Sequence, residues 1–185
     1  MTLESSNSNI TTLHAGRHLS LVARGKWEFA TRNTKRPAVG IVAITADEKV
    51  VLVEQARPAV GETLIELPAG LAGDIAGAEQ EPLLTAAKRE LLEETGYEAS
   101  HWTELVSGYS SPGLTDELIV LFLAEGLTKV AAGGGDASEA ITVHEVPLLG
   151  VFGWLEGRGC KADLKLLAGL YAAVERRAAR RERRG

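Results

Sequence analysis

The sequence predicts an α/β fold in which helices pack against a mixed β-sheet, with a small antiparallel strand appendage at the N-terminus. Three observations carry this expectation. Val- and Ile-rich runs recur between Ala38 and Leu67 and again after His101. One amphipathic run between Pro82 and Gly96 separates them, and a longer helical pattern closes the chain. Of 185 residues, 45% are hydrophobic and 24% charged, which excludes a wholly disordered chain.

From the N-terminus, a polar start leads into His18 to Arg32, where apolar and polar residues nearly alternate around Arg24-Gly25. That pattern predicts two short strands joined by a turn. Thr31 to Pro37 is polar and ends in proline, as a linker would. Ala38 to Thr45, Lys49 to Arg57 and Thr63 to Leu67 are three further strands, the first two apolar enough to be buried on both faces. Leu71 to Gln80 is loop-like. Glu81 as cap and Pro82 at the first position open a helix that Gly96 ends. Strands follow at His101 to Val106, Leu118 to Ala124 and Ile141 to Val146, with the loop Gly133-Gly134-Gly135-Asp136 between the last two. Leu148 to Glu156 and Asp163 to Arg184 read as helices, the second burying Leu164, Leu167, Leu170, Tyr171 and Val174 on one face.

Composition narrows the partners. Net charge is −5, but six arginines and two glutamates from Glu175 onward give +4 there and leave −9 on the rest. No aromatic residues interleave these arginines as a base-stacking surface needs, so the tail reads as a solvated helix end and nucleic acid is not expected. The apolar runs are too short to cross a bilayer. A lone Cys160, which has no internal disulfide partner, and a polar start with no secretory pattern point to a reducing, cytoplasmic setting.

The chemistry sits in Arg89-Glu90-Leu91-Leu92-Glu93-Glu94-Thr95-Gly96-Tyr97. With Arg89 at the origin of a helical wheel, Glu93 falls at about 40°, Glu90 at about 100° and Glu94 at about 140°, while Leu84, Ala87 and Leu91 mark the core face. Like charges at these spacings repel. A hard cation explains their concentration, because Mg²⁺ takes carboxylate oxygens and can neutralise a diphosphate; a solvated acidic helix face is the alternative. The four histidines, His14, His18, His101 and His144, form no cluster with ligand spacing.

Glu81, seven residues, and then Arg89 to Tyr97 resemble the Nudix box of the Nudix hydrolases, which cleave nucleoside diphosphates linked to another group. In that family five residues separate an opening glycine from the first glutamate. Here that position is Ile75, and the matching glycine is Gly70, with ten residues between it and Glu81, so the loop is expanded by five. Val53 to Gly61, Leu64 to Gly70 and Ser111-Pro112-Gly113 are similar to the ADP-ribose pyrophosphatase branch, and the likeness spans most of Lys35 to Ala172. Pro112 stands sixteen residues after Gly96, the spacing associated with ADP-sugar specificity; Leu114 replaces the tyrosine of diadenosine polyphosphate hydrolases.

The resemblance implies a Nudix fold, a mixed sheet sandwiched between helices, with residues 1–36 as a strand appendage for dimerisation and substrate contact and 37–185 as the hydrolase domain. It implies Mg²⁺, or Mn²⁺, held by Glu90, Glu94, Glu93, the Ala69 carbonyl and Glu139. Glu93, Arg89 and Glu139 are the implied catalytic residues, Arg89 orienting the glutamates and Glu139, or failing it Asp136, acting as general base or extra ligand. Arg57, Glu66, Pro112 and Trp27 are the implied substrate contacts, with Trp27 stacking on adenine across a homodimer or packing in its interface. The expected reaction is hydrolysis of ADP-ribose or a related nucleoside diphosphate sugar to a nucleoside monophosphate and a sugar phosphate. A different nucleotide, such as a dinucleotide cofactor, and a non-catalytic nucleotide sensor are the alternatives.

Overall fold

The computed structural model describes residues 9–135, 140–159 and 161–183. Its strands build two sheets. β1 (Ile10–Ala15), β2 (Leu19–Arg24) and β3 (Trp27–Arg32) form an antiparallel three-stranded sheet. The larger sheet runs β11-β6-β5-β4-β9-β8, with β10 also paired to β5 and β7 to β4. Its strands are β4 (Ala38–Ile44), β5 (Lys49–Arg57), β6 (Glu62–Glu66), β7 (Ala69–Leu71), β8 (Tyr97–Tyr109), β9 (Leu118–Lys129), β10 (Thr142–Pro147) and β11 (Lys161–Ala162). β4 and β9 are parallel while β4 and β5 are antiparallel, so the sheet is mixed.

Alternate residues of β4 feed two cores, which is why the strand reads as an unbroken apolar run. Val39, Ile41 and Ala43 join Ala86, Ala87 and Leu91 of α1 (Leu83–Thr95) on one face. Val42 and Ile44 join Leu155 of α2 (Val151–Arg158) and Leu166, Leu170 and Ala173 of α3 (Leu164–Glu182) on the other. The sheet is thus sandwiched between helices, as expected. Among the described residues no helix is long and apolar enough to cross a membrane.

Four expectations need correction. The appendage has three strands, not two: β1 is exposed along its whole length, so no buried alternation marks it in the sequence. Thr31 to Pro37 is not a free linker, because Arg32 pairs with Glu117 (2.6 Å) and the Thr31 hydroxyl donates to Asp116 Oδ2 (3.0 Å). On α1, Leu84 is exposed, and Leu83 packs at the core instead. On α3 the buried stripe is Leu166, Gly169, Leu170 and Ala173, leaving Leu164 76% and Tyr171 71% exposed, with Leu167 and Val174 beside them. Small Gly169 and Ala173 let the helix approach the sheet, and a search for large apolar residues overlooks them.

Nor is the arginine-rich end idle. Arg177 donates through both terminal nitrogens to Glu48 (2.5 and 2.7 Å), and its Nε lies 3.2 Å from Glu125. Arg180 forks onto Glu125 at 2.8 Å. These pairs pin α3 to the β4–β5 turn and to β9. Arg177→Ala is therefore expected to lower unfolding stability by about 1 kcal/mol in urea titrations at low salt, with a smaller loss at high salt; identical curves would mean that the pairs contribute nothing.

Candidate functional site

α1 begins after Pro82, which has extended backbone, and ends where Gly96 turns left-handed at φ 71°. The glycine is needed twice over, because a Cβ there would meet the Ala131 carbonyl oxygen at 2.1 Å. Glu81 does not cap the helix. Its carboxylate accepts from Arg89 Nε (3.2 Å) and Nη2 (3.1 Å) and from the Gly73 N–H (3.3 Å), so it ties the expanded loop to the helix arginine. That hydrogen bond from Arg89 also lowers the Glu81 pKa, against the opposing effect of burial.

Arg89 gathers the other acids. Nη1 donates to Glu90 Oε1 (2.7 Å) and Glu93 Oε2 (3.1 Å), and Nη2 to Asp74 Oδ1 and the Leu71 carbonyl, both at 3.2 Å. Burial works against its charge, but the hydrogen bond to Glu81 and the charges of Glu90 and Glu81 outweigh this and raise its pKa. Asp74 belongs to the five-residue expansion and was not foreseen; an acid in that loop opposite Arg89 was the available signal.

Glu90 and Glu94 lie on the buried side of the helix, 8% and 3% exposed, while the Glu93 side chain is half exposed. Burial pushes the Glu90 carboxyl up to about 7, with Arg89 opposing and Glu93 and Asp74 adding to the rise. Glu94 Oε2 accepts from the Ala69 N–H (3.0 Å), which sets the Ala69 peptide against the helix. Gly70 approaches still closer: a Cβ on it would fall 2.0 Å from the Glu90 carboxyl carbon. Its lack of a side chain leaves an oxygen-lined cradle between β7 and α1.

A divalent cation is tested against this cradle. The donors are carboxylate oxygens and backbone, which suits Mg²⁺ or Mn²⁺. Glycine at position 70 is what lets the Glu90 carboxylate lie directly against the β7 backbone, because a Cβ there would collide with it. Among the described residues no three His, Cys, Asp or Glu side chains already converge as a ready metal cluster; Arg89 stands between Glu90 and Glu93. Glu139 and Asp136 lie outside the described residues. The stem of their loop is docked here, because the Gly134 N–H donates to the Glu94 carbonyl (2.8 Å) and the Gly135 N–H to that of Glu93 (3.1 Å).

The substrate candidates form two groups. Arg57 Nε donates to Glu66 Oε2 at 2.6 Å across the β5–β6 pair. Trp27, 63% exposed, lines a cavity of about 510 Å³ with Arg24, Phe29, Tyr109, Pro112, Thr115 and Asp116. One chain therefore brings Trp27 and Pro112 together. Tyr109, at the end of β8, was missed because a strand-end tyrosine has no motif around it. Cys160 lies outside the described residues, and His144 Nε2 is hydrogen-bonded to Glu54 Oε2 (2.7 Å).

The sequence profile of the NUDIX domain matches residues 34–157, two thirds of the chain and the whole acidic helix. The chain belongs to the Nudix family. It is similar to the methanol dehydrogenase activator of Bacillus methanolicus, 41% identical over 112 residues, covering 60% of this chain and 58% of that one. It is 38% identical over 122 residues to the ADP-ribose pyrophosphatase of Bacillus subtilis (strain 168), 65% and 63% of the two chains. The chain thus spans about three-fifths of the length of these curated relatives. A solved ADP compounds hydrolase shares the fold at TM-score 0.73 over 93% of both chains, with 22% identity.

The Glu90 environment of this Nudix site sets a pH test. A carboxyl raised to about 7 when folded makes no destabilising contribution below its ordinary value; the cost grows as pH rises and is complete above about 7. Glu90→Gln, which can still accept from Arg89, is expected to raise the thermal midpoint at pH 8 in EDTA and to leave it nearly unchanged at pH 4. A loss of stability at pH 8 would contradict the burial argument.

Proposed function

We propose that this Nudix protein hydrolyses the diphosphate of ADP-ribose or a related nucleoside diphosphate sugar, releasing a nucleoside monophosphate and a sugar phosphate. The observation that carries the reading is the cradle: Gly70 pressed on the Glu90 carboxylate, with Glu94 held by the Ala69 N–H. The likeness to a protein named ADP-ribose pyrophosphatase supports this substrate class, as does the Pro112 spacing. Glu90, Glu94, Glu93, the Ala69 carbonyl and Glu139 are the groups that would hold Mg²⁺, or Mn²⁺, which when bound would neutralise diphosphate charge and make water a better nucleophile.

The chain's own groups do the rest. Arg89 bridges the Glu90 and Glu93 carboxylates, donating to both from Nη1. Among the described residues neither terminal nitrogen of Arg57 has a hydrogen-bond partner, so with Nε fixed on Glu66 its fork is available for phosphate oxygens. Glu139 (or Asp136) accepts a proton from a water whose oxygen bonds to one phosphorus of the diphosphate; the bond from that phosphorus to the bridging oxygen breaks, and the bridging oxygen leaves on the other phosphate. Trp27 and Pro112 wall the base or the sugar.

A magnesium-dependent assay over nucleoside diphosphate sugars and dinucleotides, coupled to a phosphatase that releases phosphate only from monoester products, tests the reading. Tight binding of ADP-ribose without turnover would favour the sensor. Arg57→Ala is expected to raise KM by about tenfold with little change in kcat, because phosphate contacts exist in substrate and transition state alike. A pure kcat effect would remove Arg57 from phosphate binding.

We further propose a homodimer, with residues 1–36 in the interface and 37–185 as the hydrolase domain. The three-stranded sheet leaves Ile10, Leu13, Leu19 and Leu21 exposed, and a sheet this small needs covering. If sites are shared between subunits, mixing inactive Glu94→Gln and Trp27→Ala chains restores activity through heterodimers with one intact site. No recovery after demonstrated subunit exchange, or a fully active monomer by light scattering, would refute sharing.

A further inference from the structure

Glu66 is a carboxylate only 2% exposed as a residue, and a buried charge is tolerated when its oxygens are paired. Its two oxygens face different cations. Oε2 accepts from Arg57 Nε at 2.6 Å, and Oε1 lies 3.6 Å from Lys165 Nζ. Lys165 belongs to the first turn of α3, on the far side of the sheet edge, and no motif in the sequence marks it. Two features bring it there. β11 runs parallel to β6, pairing Lys161 with Leu64 and Ala162 with Ile65, and the Asp163 N–H donates to the Ile65 carbonyl (3.2 Å). Asp163 then caps α3 by accepting from the Lys165 N–H (2.7 Å), and its other oxygen contacts the Lys165 ammonium.

The ammonium is thus held between Asp163 and Glu66, with the charges of Arg57 and Glu117 also acting on it. Its side chain is three-quarters buried at 24% exposure and lines a cavity of about 340 Å³ with Ser107, Tyr109 and Ser110. Tyr109 also lines the cavity of Trp27 and Pro112, so the cavity beside Lys165 adjoins theirs.

We propose that Lys165 is a positioning residue: by holding the second oxygen of Glu66 it fixes the carboxylate on which Arg57 is braced, and so sets the direction in which Arg57 presents its fork to phosphate. The proposal rests on the reading of Arg57 given above. Without Lys165, Glu66 keeps one cation for two buried oxygens and is free to turn, and that freedom loosens Arg57.

Steady-state kinetics of the full chain on ADP-ribose with Mg²⁺, together with ¹⁵N NMR of the arginine side chains in EDTA, provide the test. Lys165→Met is expected to raise KM by about tenfold with kcat within about twofold, and Lys165→Arg to restore most of the loss. In an Arg57→Ala background, Lys165→Met should change KM by less than about twofold, because the residue it acts through is gone. The Arg57 Nε–H signal, assigned by its loss in Arg57→Ala, should exchange faster with water in Lys165→Met and recover in Lys165→Arg. An unchanged KM in Lys165→Met, or an equal rise in the Arg57→Ala background, would overturn the positioning role. If the wild-type chain does not turn over ADP-ribose, the substrate reading fails, and the exchange rate decides the positioning role by itself: unchanged exchange overturns it, faster exchange upholds it. Lys165→Gln, which keeps a donor without the charge, takes the place of the Met variant if that chain does not fold.

Discussion

The acidic face of α1 exists because one guanidinium holds it together. Arg89 spreads its donors over Glu81, Glu90, Glu93, Asp74 and the Leu71 carbonyl, a set that would otherwise repel across a few ångströms of half-buried space. The planar fork matters, since a lysine would offer one point charge to acids lying in several directions. Two of these partners lie between Gly70 and Glu81, Leu71 at the end of β7 and Asp74 in the loop that follows, and Glu81 also holds Gly73. One side chain therefore sets helix, loop and cradle relative to one another, and the five-residue expansion is absorbed without moving the carboxylates off the buried face.

A second constraint is the shortness of the segment between the two charge clusters. Glu66 braces Arg57, and three residues later the Ala69 N–H holds Glu94. Leu67, fully buried, and Pro68, whose carbonyl accepts from the Ile41 N–H (2.9 Å), stiffen the intervening backbone. In the reading proposed above, a phosphate-binding arginine and metal-binding carboxylates would have to keep a fixed separation to act on one diphosphate, and this four-residue strap would supply it.

What the sequence reveals tracks how local the governing physics is. The acidic helix, its glycine stop and the β4–β5 pair are legible because spacing within a few residues decides them. Glu93, Glu90 and Glu94 fall in the order of burial that the wheel gives, from half exposed to 3%. Long-range pairing is where the reading fails. Glu81 looks like a cap, yet Arg89, eight residues on, is the stronger partner. α3 carries two stripes, and the larger apolar residues lie on the one its own sheet does not cover, so hydrophobicity alone selects the wrong face. Lys165 is invisible until β11 shows which strand the helix begins beside.

The placement of the N-terminal sheet constrains how any two subunits could share a site. Val22 and Phe29 are buried within the chain, whereas Leu21 and Trp27 stay exposed, so only part of the sheet's apolar surface awaits a partner. Its attachment to the 114–117 segment is dense: the Ala30 N–H donates to the Leu114 carbonyl (2.9 Å), Thr31 bonds Asp116, and Arg32 pairs with Glu117. That segment continues directly from Pro112. Trp27 and Pro112 therefore move as one unit, because displacing the tryptophan means breaking three bonds between the sheet and the loop. In the reading proposed above, whichever chain's glutamates this unit served, it would serve them with both residues, so base-side recognition would come from a single chain even where the reaction centre belonged to another.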